Sequence, residues 1–175
     1  SIDLGRLRED LNTLQGSSLH KKYEKEINNL KPFHFPISFP EIFVSKKKGF
    51  DVIVGNPPWD KLKPNSKEFF SSYDANFRTY KKPKANRVAK ELMDNHPSIA
   101  KRWQEHKETL DKQNKYFKQP ATYEYLGNGD IDTFKLFLER SYQLLAANSS
   151  MGLVIPGSLT ANEGCAPLRK LLLLE

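Results

Sequence analysis

Cysteine occurs once in this chain, at Cys165, which excludes an intrachain disulfide framework and a cysteine-rich metal site. The four histidines are scattered without metal-ligand spacing, so no metal site is expected. No apolar run approaches the roughly 20 residues that cross a bilayer, and no signal peptide is evident, which leaves the cytosol as the default compartment. Apolar residues make up only 38% of the chain and the mean hydropathy is −0.66, so much of it must be solvated. Acid is short relative to base. The net charge of +7 and pI near 9.4 favour a polyanionic partner or an acidic surface, a property shared with many basic proteins that bind neither. At 175 residues there is enough material for one domain with a core.

The chain starts without Met and stops within a helical run, Leu171 to Leu174 and then Glu175, which reads as a piece of a larger protein. Leu4, Leu7, Leu11 and Leu14, then Ile27 and Leu30, recur at helical spacing, with Gly16-Ser17-Ser18 between them. Residues 31–44 alternate aromatic or apolar groups with Pro32, Pro36 and Pro40. Prolines at that density exclude a central strand and predict an extended segment in which His34 is packed among phenylalanines. Lys46-Lys47-Lys48-Gly49 is a solvated turn, and Phe50 to Val54 follow as a buried strand.

Residues 61–119 differ in composition, being rich in Lys, Asn, Gln and aromatics. Between Ala75 and Lys90 there is no acid, whereas Arg78, Lys81, Lys82, Lys84, Arg87 and Lys90 occur there with Phe77 and Tyr80. The pattern predicts helices over 87–117, broken near Pro97, with Trp103 as a local core anchor. The basic cluster, in particular Arg78, Lys81, Lys82 and Lys84, is a candidate nucleic-acid contact or a solvated surface. After Pro120 the periodic core resumes. Asp130 and Asp132 read as caps of a helix whose apolar face is Phe134, Phe137, Leu138, Tyr142 and Leu145. Residues 146–150 read as a turn into a second strand, Met151 to Ile155. Pro156-Gly157-Ser158 end that strand, Cys165 packs inertly, and a helix starts near Glu163. Strand, helix, strand, helix predicts an α/β fold with a parallel sheet. Three segments follow: 1–60 with helices, extended segment and first strand; 61–119 as a basic, mainly helical insertion; and 120–175 as the remaining helix, strand and helix.

In open α/β sheets ligands sit beyond the carboxyl ends of the strands. Asn56-Pro57-Pro58-Trp59 occupies that position after the first strand, and Pro156 to Ser158 after the second. The tetrapeptide presents an amide oxygen, a proline carbonyl and an aromatic face at one point, which suits gripping a planar group that carries an NH2. Such a nitrogen is a poor nucleophile while its lone pair is delocalised. Accepting both hydrogens, at Asn56 Oδ1 and the Pro57 carbonyl, localises the lone pair and stabilises the developing positive charge. Consecutive prolines hold those groups still. Stacking on Trp59 is worth about 1–3 kcal/mol, of the order of the cost of extruding a base from a duplex.

Gly49-Phe-Asp-Val-Ile-Val-Gly-Asn-Pro-Pro-Trp59 resembles the catalytic motif of the N6-adenine DNA methyltransferases, specifically the large type IIG-like restriction–modification and phage-exclusion methylases. Phe33 to Phe43 resembles the aromatic, proline-bearing segment that leads into it. Gly129 to Arg140 and Met151 to Ser158 resemble the two following motifs, and Ala166 to Lys170 the start of the next helix. The resemblance implies a partial Rossmann-like, S-adenosylmethionine-dependent fold with a largely helical insertion. It implies that Asn56, Pro57, Pro58 and Trp59 bind the target base in DNA. It further implies that Asp130, Phe134, Phe137 and Pro156 border the cofactor, within a bacterial, cytoplasmic restriction–modification or phage-defence system. The family's glycine-rich cofactor loop, its ribose-binding acid and its target-recognition domain have no counterpart here. The chain alone is therefore expected to be catalytically silent and to bind cofactor weakly, with the rest of a parent chain as its partner. Methylation of an RNA amino group, methylation of a protein glutamine, and a non-catalytic DNA-binding module remain alternatives.

Overall fold

A computed structural model describes residue 13, residues 16–31 and residues 33–174. The expected helical leucines Leu4, Leu7, Leu11 and Leu14, and Pro32, lie outside the described residues, as do the side chains of Ile27 and Leu30. Two compact units divide at Lys48 and Gly49.

In the first unit, helix α1 spans Ser18–Leu30. The proline-rich segment is not extended. It forms two single helical turns, α2 (Phe35–Ser38) and α3 (Pro40–Phe43), each with a proline in its first turn. Proline's fixed φ suits that position, and its missing N–H is one that the first turn leaves unpaired anyway. Phe33, Phe35 and Phe39 meet at centroid distances of 5.0 to 6.4 Å, while His34 is exposed rather than packed.

The second unit is built on two parallel strands, β1 (Phe50–Gly55) and β2 (Leu145–Leu153). Residues 146–150, read as a turn, are strand. Between the pairs Phe50–Leu145 and Val52–Ser150 the register shifts, and Asn148 absorbs the extra backbone at φ 58°, a left-handed conformation that asparagine tolerates. Pairing runs on through Ile53–Met151 to Gly55–Leu153, and Val154 N donates to Gly55 O at 3.0 Å. Gly49 enters β1 where its neighbour's backbone leaves no room for a side chain: a Cβ would lie 2.5 Å from Leu145 C and Ala146 N. Within this unit β1 is only partly covered, since Val52 and Val54 are exposed where the apolar run predicts burial.

Between the strands come α4 (Ser66–Phe70), a 3-10 turn (Phe77–Thr79), α5 (Lys82–Asn95), α6 (Pro97–Phe117) and α7 (Thr133–Leu144). Asn65 caps α4 through Glu68 N. The chain breaks at His96, before Pro97, as the residue preceding a proline disfavours helix. Phe70, Phe77, Ala85, Ala89 and Ile99 form a core of their own here, with Trp103 against it. After β2 the chain does not enter one helix near Glu163. It passes through α8 (Ser158–Ala161) and a 3-10 turn (Glu163–Cys165) into α9 (Ala166–Leu174).

Helix α7 is covered on two sides. Phe134 and Leu138 join Leu159, Cys165, Leu168 and Leu171, whereas Leu136 joins Leu126 and Ile131 in a separate cluster. Phe137, assigned to the apolar face, is half-exposed, because it lies about 100° from Leu138 around the helix. Lys135 and Glu139 are fully buried and fasten the preceding loop. Lys135 Nζ donates to Gly164 O at 3.1 Å. The Glu139 carboxylate accepts from Glu124 N at 2.5 Å and Tyr125 N at 3.0 Å.

Candidate functional site

Because β1 and β2 are parallel, their carboxyl ends lie together, and Asn56-Pro57-Pro58-Trp59 leaves β1 at that end. The loop is tied at two points. Thr133 Oγ1, at the first position of α7, donates to Pro58 O at 2.7 Å, and Thr133 N donates to Asp60 O at 2.8 Å. The Trp59 indole N–H reaches Val154 O, just past β2, at 3.3 Å. An isolated bridge between Lys61 and Asp132, with Leu62 N donating to Ile131 O at 2.8 Å, continues the attachment. Pro57 is buried, Asn56 and Pro58 are exposed, and Trp59 keeps 50% of its surface exposed. An amide and an aromatic face are offered to solvent from a backbone fixed on both sides.

Asp130 stands at the same end but is occupied. Lys63 Nζ lies 2.9 Å and Lys61 Nζ 3.7 Å from its carboxylate, and the hydrogen bond and charge of Lys63 hold it below the ordinary carboxylate range. Asp132 sits at the cap position of α7 without a side-chain cap bond; its carboxylate lies 3.9 Å from buried Lys135. Phe134 is sealed in the core at 1% exposure and offers no face to a ligand, whereas Phe137 is half-exposed. Of the residues expected to border a cofactor, Asp130 is thus ion-paired, Phe134 is closed to a ligand and Phe137 is half-exposed. Among the described residues no group of three or more His, Cys, Asp or Glu is gathered to hold a metal ion, and no helix is long and apolar enough to cross a membrane.

Arg78, Lys81, Lys82 and Lys84 are all exposed around the start of α5, with Lys84 Nζ 3.9 Å from the Tyr80 ring centroid and Arg78 Nε 3.4 Å from Ser71 Oγ. None of them lines the cleft that opens beside Trp59. That cleft, of about 910 Å³, runs from Trp59 and Lys63 along α4 to Tyr73, Arg102 and His106. Arg102 and His106 carry no local signal in the sequence beyond their spacing of one helical turn on α6.

The sequence profile of the Eco57I restriction-modification methylases matches residues 4–90, which include β1 and the Asn-Pro-Pro-Trp loop. A protein of Methanocaldococcus jannaschii, named as a type II restriction enzyme and methyltransferase, is 45% identical over 51 residues. That stretch is 29% of this chain and 4% of the relative's length. No solved structure matches the chain.

Proposed function

We infer, from the match of residues 4–90 to the Eco57I restriction-modification methylases, that this chain is part of a DNA methyltransferase of a restriction–modification system. On this reading the acceptor is the N6 amino group of adenine and the methyl donor is S-adenosylmethionine. The parallel strand pair belongs to a Rossmann-like core, with 61–119 inserted between its strands. The observation that carries the reading is the fixed loop at the carboxyl end of β1, tied through Pro58 to Thr133 and through Trp59 to Val154.

The chain's own contribution is to hold the base and bias its nitrogen. Asn56 Oδ1 and the Pro57 carbonyl accept the two amino hydrogens, so that the lone pair is released from the ring and positive charge is stabilised as it develops. Trp59 stacks on the extruded base and offsets the cost of unstacking it. Asp130, Phe137 and Pro156 border the donor's side only together with residues that this chain does not bring to them. Arg78, Lys81, Lys82 and Lys84 supply phosphate contacts away from the loop. Such a protein works in the bacterial cytoplasm, where its DNA is.

The test supplies the full natural protein with S-adenosylmethionine labelled in its methyl group and with DNA, RNA and protein together. Label recovered as N6-methyladenine from DNA, and lost in Asn56→Ala, supports the reading. Label in RNA or in protein glutamine transfers the loop to another amino group. Absence of label in all three leaves a binding module.

A further inference from the structure

The cleft beside Trp59 has a composition that base recognition alone does not require. Aromatic rings and cations line it, together with the carboxylates of Asp60 and Glu68. Trp59 is among the lining residues and is half-exposed. Phe69 and His106 stack at 5.8 Å, and Arg102 lies 5.8 Å from the Tyr73 ring centroid. Lys61 and Lys63 line the same space but share the Asp130 carboxylate, which takes up part of their charge. Arg102 is exposed and, among the described residues, has no carboxylate partner. Its guanidinium is therefore the cation in the cleft best able to take an external anion.

We propose that this cleft seats an unpaired stretch of nucleic-acid strand next to the base held at Trp59, with Arg102 contacting its phosphate and Tyr73 and His106 offering faces to its bases. The proposal rests on the reading of Trp59 as the base-stacking residue. A volume of about 910 Å³ is at the upper end of the range of roughly 300–1,000 Å³ for small-molecule sites, which leaves room beyond one base. Stacking on aromatic faces tolerates any base, and a guanidinium matches a phosphate in two-pronged geometry. Extruding one base loosens its neighbours, and a wall of rings and a cation adjoining Trp59 holds the loosened strand. The helical segment 61–119 thereby becomes part of the substrate site.

The test measures binding of a fluorescein-labelled single-stranded 12-mer by anisotropy over a salt series, with a fully paired hairpin of the same sequence as comparison. Wild type should prefer the single strand. Arg102→Ala should weaken single-strand binding roughly tenfold. It should also lower the slope of log affinity against log salt by about 0.7, the share of one phosphate. Tyr73→Leu should weaken binding while leaving the slope unchanged, because stacking releases no counterion. Lys170→Ala, which removes an exposed cation on α9 outside the cleft, should change neither. Circular dichroism of each variant establishes that it is folded. Equal effects of Arg102→Ala and Lys170→Ala, or no single-strand binding by wild type, would overturn the proposal. The two readings fail separately. N6-methyladenine formation with no Arg102 effect removes the cleft assignment alone, and an Arg102 effect without N6-methyladenine removes the methylase reading alone.

Discussion

Thr133 Oγ1 donates to the carbonyl of Pro58 at 2.7 Å across 75 residues of sequence, and the same hydroxyl lies 3.0 Å from Asp60 O. One side chain at the start of α7 therefore fixes the loop that carries Asn56 and Trp59. Thr133→Val should cost about 1 kcal/mol of stability, the net value of one hydrogen bond whose acceptor can turn to water. Thr133→Ser should stay near wild type. Urea unfolding of the two variants checks this, and a loss in Thr133→Ser with Thr133→Val unchanged would show that the methyl, not the hydroxyl, matters.

Trp59 presents a ring to solvent and an N–H to Val154 O, and the two roles separate by substitution. Trp59→Phe keeps a stacking face and loses the indole bond; it should reduce affinity for DNA carrying a mismatched adenine only a few-fold. Trp59→Ala should remove about 1–3 kcal/mol of that affinity, the value of one base stack. Because the ring is half-exposed, the thermal stability of both variants should stay close to wild type. A fall in melting temperature parallel to the fall in affinity would make Trp59 a structural residue.

Gly49 and Gly152 give opposite expectations on the same strand pair. A Cβ at Gly49 meets backbone atoms of Leu145 and Ala146 at 2.5 Å, whereas a Cβ at Gly152 meets nothing within 4 Å. Backbone cannot rotate away, so Gly49→Ala should cost more than about 2 kcal/mol and disturb the pairing of Phe50 with Leu145. Gly152→Ala should be neutral or stabilising by up to about 1 kcal/mol, since it restricts the unfolded chain. Paired urea titrations read the contrast directly.

What the sequence made legible was local. The apolar run ending in Gly55, the helix break before Pro97 and the four-residue recurrence of Phe134, Leu138 and Tyr142 are patterns of neighbours, and neighbours decide them. What it concealed depends on distant partners. Asn148 lies in a strand because β1 offers pairing along residues 145–153, which overrides a composition that favours a turn. Pro36 and Pro40 exclude a strand, but the same fixed φ that excludes it also starts a helical turn, and spacing alone does not choose. The Asn-Pro-Pro-Trp loop was visible as chemistry; its two anchors, Thr133 and Val154, were not. Arg102 and His106 line the cleft because α6 packs beside the loop, a juxtaposition that the density of basic residues along the chain does not reveal; Arg78 to Lys84 lie outside that cleft.

Glu139 makes the last expectation one about pH. Its carboxyl is buried on α7, and burial raises it above the ordinary carboxylate value of 4.5; the N–H groups of Glu124 and Tyr125 pull it partly back, and the Glu124 charge raises it again. A group whose folded pKa is raised binds its proton more tightly in the folded state. Its contribution is therefore fully present below the unfolded value and is lost as pH rises through the folded one. Stability should fall as pH rises from about 4.5 through the raised value, then level off. Asp130 runs the other way: Lys63 lowers it, so its contribution is lost only as pH falls below about 3.8, outside that window. Glu139→Gln should abolish the decline above 4.5. It should also lower stability throughout by about 1–3 kcal/mol, because an amide accepts from one of the two backbone donors and turns its own NH2 toward the other. Urea unfolding at half-unit intervals from pH 4 to 7 compares the two curves. A decline of equal slope in the variant would assign the dependence to some other group.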